Sequence, residues 1–204
     1  MKYLLYKILT KSSRKLRKLF YINYNKLIFS LAGIKYGKKF QITNHIYLNI
    51  SQKSYIKIGN NFKFTSGEAF NPLCRNIKGC IYTAPNAQLI IGENVGISSA
   101  CLWCNSTIKI GNNVKIGGDC IIMDTDAHSL NFQDRKQFQT DKKHTKNLPI
   151  TINDDVLIGT RCIILKGVSI GARSIIGSGS IVTKDIPADC IAAGNPAKII
   201  RIKK

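Results

Sequence analysis

Two aspartates and one histidine occupy alternate positions near the middle of the chain. Asp124, Asp126 and His128 lie in the stretch IIMDTDAHSL, residues 121–130, in a region otherwise rich in isoleucine and glycine. An imidazole titrates near neutral pH and can accept a proton from an attacking hydroxyl, while a carboxylate beside it can fix its tautomer. Burying these groups without partners would be unfavourable by several kcal/mol, so we expect them to face a cleft. The stretch is therefore the first candidate for a catalytic site.

The other two histidines have weaker support. His45 lies in a short stretch of mixed polarity before the repeat described below, which predicts a surface position. His144 lies in the basic segment DKKHTK, where a solvated loop histidine is expected. Neither is accompanied by a motif.

An aliphatic residue recurs every six positions through the C-terminal half of the chain. Glycine often follows it directly, and the fourth position after it is mostly small or β-branched. A fainter form of the pattern begins near residue 56. Neither the helix period nor the strand period produces this spacing, and a period of six predicts a parallel β-helix of stacked short strands. The aliphatic positions from 152 onward are Ile152, Ile158, Ile164, Ile170, Ile176 and Val182.

Residues 129–149 carry no trace of the six-residue period and are predicted to form an excursion loop. Loops of this length that leave a regular stack are often functional. The excursion follows His128 directly and contains several lysines and an arginine. Two interpretations are open: it arches over the cleft and meets a substrate, or it is a mobile solvated insertion.

The last part of the repeat resembles a known family, the hexapeptide-repeat acyltransferases. Residues 156–201, VLIGTRCIILKGVSIGARSIIGSGSIVTKDIPADCIAAGNPAKIIR, are similar to the final coils and exit segment of its acetyl-CoA-dependent members, within the branch that acetylates sugars and surface polysaccharides. The resemblance implies an all-β fold, a left-handed parallel β-helix, which is an exception to the usual right-handed crossover. It also implies a homotrimer with active sites in the clefts between subunits.

The resemblance assigns roles to particular residues. His128 matches the family's catalytic base. Asp126 is the expected partner of its imidazole, with Asp124 as the alternative, and either aspartate could instead contact the acceptor.

The positions similar to coenzyme-contacting residues are Thr160 and Ser178 along the pantetheine path, and Thr183, Lys184 and Arg201 near the adenosine and phosphates. Cations and glycine-lined turns suit a phosphate-rich ligand. The competing interpretation is that the segment AAGNPAKIIR only caps the open end of the coil.

The chain divides into three predicted parts. Residues 1–42 form a basic amphipathic helical segment, residues 43–186 the β-helix, and residues 187–204 a short C-terminal cap. The net charge is +20, yet residues 1–67 hold 14 Lys and Arg and no acid. An amphipathic helix there would either pack its apolar face on its own domain or lie on an anionic membrane surface. The apolar face is predicted from Leu5, Ile8, Leu9, Leu16, Leu19 and Phe20.

Composition argues against several other classes of protein. Seven scattered cysteines with a single CxxC, Cys101 and Cys104, favour a reducing compartment over a disulfide framework, and no metal is expected. We expect a cytoplasmic chain, with no secretion signal and no apolar run long enough to span a bilayer. No nucleic-acid-binding motif accompanies the basic charge.

The sequence therefore predicts an acetyl-CoA-dependent O-acetyltransferase acting on a hydroxyl of a glycan or lipid-linked saccharide. The alternative within the same fold is an N-acetyltransferase of a nucleotide-linked amino sugar. A zinc hydratase of this fold needs three clustered histidines, which positions 45, 128 and 144 do not favour. A non-catalytic assembly module is the remaining alternative.

Overall fold

The structure is a computed structural model that describes residues 1–74 and 77–202. Helix α1 (Lys2–Leu31) precedes a stack of short strands, and helix α2 (Phe138–His144) interrupts it. No helix in these two ranges is both long enough and apolar enough to cross a membrane. The described strands, in chain order, are β1 (Lys35–Tyr36), β2 (Gln41–Thr43), β3 (Tyr47–Ile50), β4 (Tyr55–Ile58), β5 (Lys63–Thr65), β6 (Cys80–Thr83), β7 (Gln88–Ile91), β8 (Gly96–Ser98), β9 (Cys101–Cys104), β10 (Thr107–Ile110), β11 (Lys115–Ile116), β12 (Ile121–Met123), β13 (Ile150–Ile152), β14 (Leu157–Ile158), β15 (Ile163–Ile164), β16 (Ser169–Ile170), β17 (Ile175–Ile176), β18 (Ile181–Val182), β19 (Cys190–Ala193) and β20 (Lys198–Ile202).

From β1 to β18, successive strands join three different sheets in turn, so each strand pairs with the strand three places earlier in the chain. Across the described residues the first sheet has the order β1-β4-β7-β10-β13-β16, and the third has the order β18-β15-β12-β9-β6-β3. The second sheet has the order β2-β5-β8-β11-β14-β17-β19-β20. Pairing is parallel throughout, except that β20 runs antiparallel to β19 and closes the stack. The predicted all-β parallel β-helix is confirmed.

The six-residue period marks the interior of the stack. All six aliphatic residues of the period from Ile152 to Val182 are buried, and each lies at the inward position of a strand. The small or branched residues four positions later are also buried, including the hydroxyls of Ser174 and Ser180. Burying each aliphatic side chain contributes about 1.5–3 kcal/mol. One coil cannot bury such residues alone, so stability depends on neighbouring coils.

The corners of the coil explain the glycines and asparagines of the repeat. A Cβ atom added at Gly117 would lie 2.6 Å from the backbone nitrogen of Thr160 in the next coil, so a side chain would push the coils apart. At another corner Asn94 and Asn113 adopt left-handed backbone angles, each with φ of +58°, which asparagine tolerates better than most residues. The Asn94 amide donates to Asn113 Oδ1 at 3.0 Å, and the Asn113 amide donates to Asp155 Oδ1 at 2.9 Å. This ladder ties successive corners together.

The predicted excursion leaves the stack between β12 and β13 but is not structureless. It contains a short 3-10 turn at Asp134–Lys136 and the helix α2. Its two ends are held together where Asp126 donates its backbone N–H to the Lys146 carbonyl at 3.0 Å. Leu148 donates its N–H to the Asp124 carbonyl at 2.9 Å. The excursion therefore returns to the stack through a hydrogen-bonded stem.

Two predicted boundaries differ from those of the structure. Helix α1 ends at Leu31, and β1 at Lys35 already pairs with β4, so the stack begins before residue 43. At the other end, the predicted cap includes β19, which continues the second sheet in parallel register. The six-residue period is faint at the N-terminal end because buried aromatic residues such as Phe40 and Phe62 replace the regular aliphatics there. After Val182 the chain turns before β19, and the period is lost.

The neighbouring isoleucines of β12 provide a matched test of this core. Ile122 is fully buried, whereas Ile121 is 37% exposed on the outer face. We expect Ile122→Ala to lower the free energy of unfolding by about 2–5 kcal/mol, because it leaves a cavity between coils. Ile121→Ala should cost less than about 1 kcal/mol. Equal losses in urea unfolding would contradict the assignment of inward and outward faces.

Candidate active site at the stem of the excursion

The predicted catalytic stretch lies directly after β12, at the start of the excursion. Thr125 forms an antiparallel bridge with Asn147 on the returning chain. Ala127 has a left-handed φ of +62°, and its N–H donates to the Thr125 hydroxyl at 3.0 Å. This tight turn projects His128 outward, with 70% of its side chain exposed. The imidazole therefore leaves the inward register, as expected for a group that faces a cleft.

His128 is held by an acid that the sequence did not indicate. Its Nδ1 lies 2.6 Å from Asp141 Oδ2 in α2. The other oxygen of Asp141 accepts the Ser129 backbone N–H at 2.7 Å. The hydrogen bond from His128, followed by that from Ser129, lowers the pKa of Asp141 below its usual range. Because an ionised carboxylate only accepts, the neutral imidazole has its proton on Nδ1 and its lone pair on Nε2.

Asp124 has a structural position instead of a cleft position, which corrects the expectation from sequence. Its side chain is fully buried. Its two carboxylate oxygens accept the backbone N–H groups of Asn105 at 2.6 Å and Ser106 at 2.8 Å. Burial and the nearby Asp124 raise the pKa of the Cys104 thiol to about 12, so the thiol stays protonated as it contacts Asp124 Oδ2 at 3.6 Å. These contacts satisfy the buried carboxylate and join β12 to the preceding coil.

Asp126, the predicted partner of His128, instead forms an ion pair with Lys166. The distance from Lys166 Nζ to Asp126 Oδ1 is 2.7 Å, and both side chains are mostly buried. Asp126 Oδ2 is buried without a hydrogen-bond partner among the described residues. Buried carboxylate oxygens are nearly always hydrogen-bonded, so this atom is an acceptor whose partner the described residues do not supply.

The excursion contains a second histidine–aspartate pair. His144 Nδ1 lies 3.0 Å from Asp134 Oδ2, which also accepts the Ser129 hydroxyl at 2.7 Å. Hydrogen bonds from Ser129 and then His144 lower the pKa of Asp134. Ser129 therefore binds both acids, Asp141 through its backbone and Asp134 through its hydroxyl. His144 is partly exposed, and His45 lies on the surface, as predicted.

A groove on the outer face of the second sheet brings two of the predicted coenzyme residues together. It encloses about 480 Å³ and is lined by Thr160 and Ser178 at one end and by Lys63 and Lys115 farther along. Thr160 donates its backbone N–H to the Ser178 hydroxyl at 3.2 Å. The groove floor includes Leu157 and half-buried glycine backbone. An apolar floor beside lysines suits a long ligand with an anionic end.

The remaining coenzyme candidates fall at two different places. Arg201 lies in β20 and pairs in register with Ile191, which pairs with Ile175, which in turn pairs with Leu157 of the groove. Arg201 is thus on the same sheet, about 14 Å along the stack from Leu157. Thr183 and Lys184 follow β18 of the third sheet and are exposed, so the structure separates them from the groove.

Comparison with known proteins agrees with this architecture. Residues 149–184 match the family model described as bacterial transferase hexapeptide, six repeats. Over these residues the chain is similar to the hexapeptide-repeat family. The fold of this chain is the left-handed parallel β-helix that the resemblance implied. Among described residues, no group of three or more His, Cys, Asp or Glu side chains could hold a metal ion.

Galactoside O-acetyltransferase from Escherichia coli is 41% identical over 122 residues, which are 59% of this chain and 57% of that protein. This chain spans about half the length of the curated relatives it matches. AntD, an N-acyltransferase from Bacillus cereus solved with dTDP-4-amino-4,6-dideoxyglucose and coenzyme A, has a TM-score of 0.67 at 17% identity and covers 88% of this chain and 89% of its own.

A hexapeptide-repeat acetyltransferase from Vibrio cholerae, solved with acetyl coenzyme A, has a TM-score of 0.52 at 22% identity, covering 96% of this chain and 88% of its own. At these identities the two solved structures show a shared fold.

The two lowered carboxylate pKa values predict how the excursion responds to acid. A carboxylate with a depressed folded pKa stabilises the fold above its unfolded pKa of about 4, and this contribution is lost as pH falls through the folded value. We expect hydrogen exchange within residues 129–149 to accelerate between about pH 5 and pH 3, relative to the adjacent coils.

Asp141→Asn should remove part of this pH dependence. The double variant with Asp134→Asn and Asp141→Asn should remove most of it. An unchanged pH profile in the double variant would contradict the assignment.

Proposed function

We propose that this protein transfers the acetyl group of acetyl-CoA to a hydroxyl of a saccharide, with His128 as the general base. The observation that carries the proposal is the pair formed by His128 and Asp141. The pair leaves the basic nitrogen exposed and fixes its tautomer through a 2.6 Å contact. A relative that is 41% identical over 122 residues is a galactoside O-acetyltransferase, which supports a sugar hydroxyl as the acceptor.

The proton transfer follows from the geometry of the pair. His128 Nε2 accepts the hydroxyl proton as the acceptor oxygen attacks the thioester carbonyl carbon that acetyl-CoA supplies when bound. The resulting imidazolium keeps its Nδ1 hydrogen bond to Asp141, whose negative charge stabilises it. His128 then returns the proton to the departing sulfur as the carbon–sulfur bond breaks, so the pair ends in its starting state. General base catalysis of this kind contributes about 100-fold to 10,000-fold.

Asp126 supports a second role at the same site. Its Oδ2 is the buried oxygen without a partner, two residues from His128, while Lys166 holds Oδ1. We propose that a small rotation of the Asp126 carboxylate lets this oxygen accept a hydrogen bond from a second hydroxyl of the acceptor, which orients the attacking one. Asp124 retains its structural role beneath the site.

The coenzyme is proposed to occupy the groove on the second sheet. Thr160 and Ser178 line one end, and glycines without a Cβ atom allow a pantetheine arm to approach closely. Arg201 lies on the same sheet farther along the stack and is proposed to bind a phosphate. Lys184 and Thr183 are at a different corner, so a role for them requires the ligand to extend across the end of the coil.

A second copy of the chain is proposed to complete the site. With 70% of the side chain exposed, His128 faces bulk water in a single chain, and transfer to water would compete with transfer to the acceptor. A homotrimer with clefts between subunits, as the sequence resemblance implies, would cover the imidazole and join it to a groove of the neighbouring subunit.

Substitution of the two excursion histidines tests the base. We expect His128→Ala to lower kcat for acetyl transfer by at least about 100-fold without loss of coenzyme binding. His144→Ala is the matched control, because His144 is also a partly exposed histidine paired with an aspartate in the excursion. It should retain near wild-type activity. Comparable activity in the two variants would refute the assignment of His128.

Asp141→Asn tests the orientation of the imidazole. An asparagine can present an N–H to Nδ1 and favour the wrong tautomer, so kcat should fall by about tenfold or more. The fall should be larger than that for Asp134→Asn, and the KM for acetyl-CoA should change little.

Arg201→Gln tests the coenzyme site. Loss of a charge-assisted hydrogen bond worth about 1.5–3 kcal/mol should weaken coenzyme A binding by tenfold or more in calorimetry. The effect should be much smaller with dephospho-coenzyme A if Arg201 binds the ribose phosphate. Lys109→Gln removes an exposed cation from the first sheet and should bind as wild type. Equal affinities of the Arg201 variant and the wild type would remove Arg201 from the site.

Labelled acetyl-CoA with a panel of acceptors tests the reaction itself. Galactosides, other free glycans and lipid-linked saccharides represent hydroxyl acceptors, and a nucleotide-linked amino sugar represents the alternative N-acetyltransferase. Label found only on the amino sugar would replace the proposed acceptor. Absence of transfer to every acceptor, by a protein that binds coenzyme A, would contradict the proposed activity on saccharides.

A further inference from the structure

Among the described residues, helix α1 is anchored near its C-terminal end. Asn25 and Phe29 are its buried residues. The Asn25 amide donates to the carbonyls of Ile42 at 3.1 Å and Asn44 at 2.9 Å, and Phe29 packs against Phe40 with ring centroids 5.1 Å apart. The helix has 30 residues and is therefore about 45 Å long. Most of it extends beyond these contacts with exposed side chains.

The anchoring residues determine which face of α1 points away from the β-helix. Residues separated by four, seven, eleven or eighteen positions lie on the same side of a helix. Lys18 and Lys11 lie eleven and eighteen positions before Phe29, and Lys7 lies eighteen positions before Asn25. These lysines therefore lie on the same face of α1 that, nearer its C-terminal end, docks on the β-helix through Asn25 and Phe29.

The opposite face of α1 carries a continuous apolar stripe. Its members are spaced by alternating steps of four and seven, an eleven-residue period that stays on one side of a straight helix. All of them are exposed, from 57% at Leu5 to 75% at Leu31. The interpretation in which the apolar face packs on its own domain is therefore wrong for this chain. The stripe consists of Leu5, Leu9, Leu16, Phe20, Leu27 and Leu31.

The charge of α1 identifies what would cover the stripe. The helix contains eight Lys and Arg and no Asp or Glu, and no acid occurs before Glu68. Pairing this helix with a second copy would bring like charges together without the opposite charges that stabilise helix pairs. An anionic lipid bilayer has an apolar interior, which suits the stripe, and negatively charged head groups, which suit the lysines and arginines.

We propose that α1 is a membrane-docking helix that lies on an anionic bilayer surface. The apolar stripe enters the region between head groups and acyl chains, and the lysines and arginines contact the lipid phosphates. The cytoplasmic leaflet is the negatively charged one, so this assigns the protein to the inner face of a membrane. The proposal concerns location and does not depend on the transferase activity.

Vesicle co-sedimentation with the full chain tests the proposal. The probes are vesicles of phosphatidylcholine alone and of phosphatidylcholine with an equal share of phosphatidylglycerol, at low and at high salt. The wild type should bind the anionic vesicles at least about tenfold more tightly than the neutral ones at low salt, and less tightly as salt rises. Equal binding to both vesicles, or no binding, would overturn the proposal.

Three triple variants separate the contributions of the two faces. Leu9→Gln, Leu16→Gln, Phe20→Gln should reduce binding to anionic vesicles by at least about tenfold, because the stripe is lost while every charge remains. Lys7→Gln, Lys11→Gln, Lys18→Gln should reduce the salt dependence and the preference for anionic lipid. Lys53→Gln, Lys57→Gln, Lys109→Gln removes the same charge from the β-helix surface and should bind nearly as wild type.

Two results would assign the stripe to another occupant. Binding that survives in the stripe variant but is lost in the lysine variant would indicate a general polyanion site, such as one for nucleic acid. A smaller oligomer for the stripe variant in buffer without vesicles would identify a second copy of the chain. Either result overturns the proposal. Transfer to a soluble acceptor should be unchanged in all three variants, so the transferase proposal can fail separately.

Discussion

Stacking of coils is the constraint on which the rest of this protein depends. Each coil contributes only a few inward aliphatic side chains, and these are buried solely because another coil lies above and below. The parallel ladders hold the coils at one strand spacing, and corners without a Cβ atom, such as Gly117, allow that spacing. A rigid prism results, whose outer faces and corners are free to vary.

The candidate site lies where the stack opens after β12. Between β12 and β13 the chain departs and returns through a hydrogen-bonded stem, so the excursion starts and ends on rigid strands. Asp124 lies beneath this stem and satisfies backbone N–H groups of the coil below. His128 is fixed from the other side by α2. The imidazole is thus supported by rigid strands and hydrogen-bonded to an acid of the excursion. Its other ring nitrogen faces outward.

The outer faces of the prism supply the other surfaces. The second sheet presents a groove bounded by lysines, and α1 extends from the start of the stack with its apolar stripe directed away from it. Because the stack supplies the stability, these surfaces can be polar, charged or apolar without weakening the core. A membrane-docked helix would hold the groove and the imidazole close to a lipid surface, where lipid-linked saccharides are concentrated.

Local periodicity was enough to predict the β-helix, its inward residues, the site of the excursion and the histidine that interrupts the period. Each of these depends on near neighbours in the chain, because a six-residue register repeats whatever lies elsewhere. The partner of His128 was beyond this kind of inference. Asp134 and Asp141 are both acids of the excursion, and nothing in their spacing ranks one above the other.

Only the tertiary structure placed Asp141 against the imidazole, turned Asp126 toward Lys166 and buried Asp124. The sequence likewise predicted that α1 is amphipathic but left open which face meets the β-helix. The anchors Asn25 and Phe29 decided that. Contacts between distant segments depend on how the chain returns to the stack, and a repeating local pattern carries no information about that return.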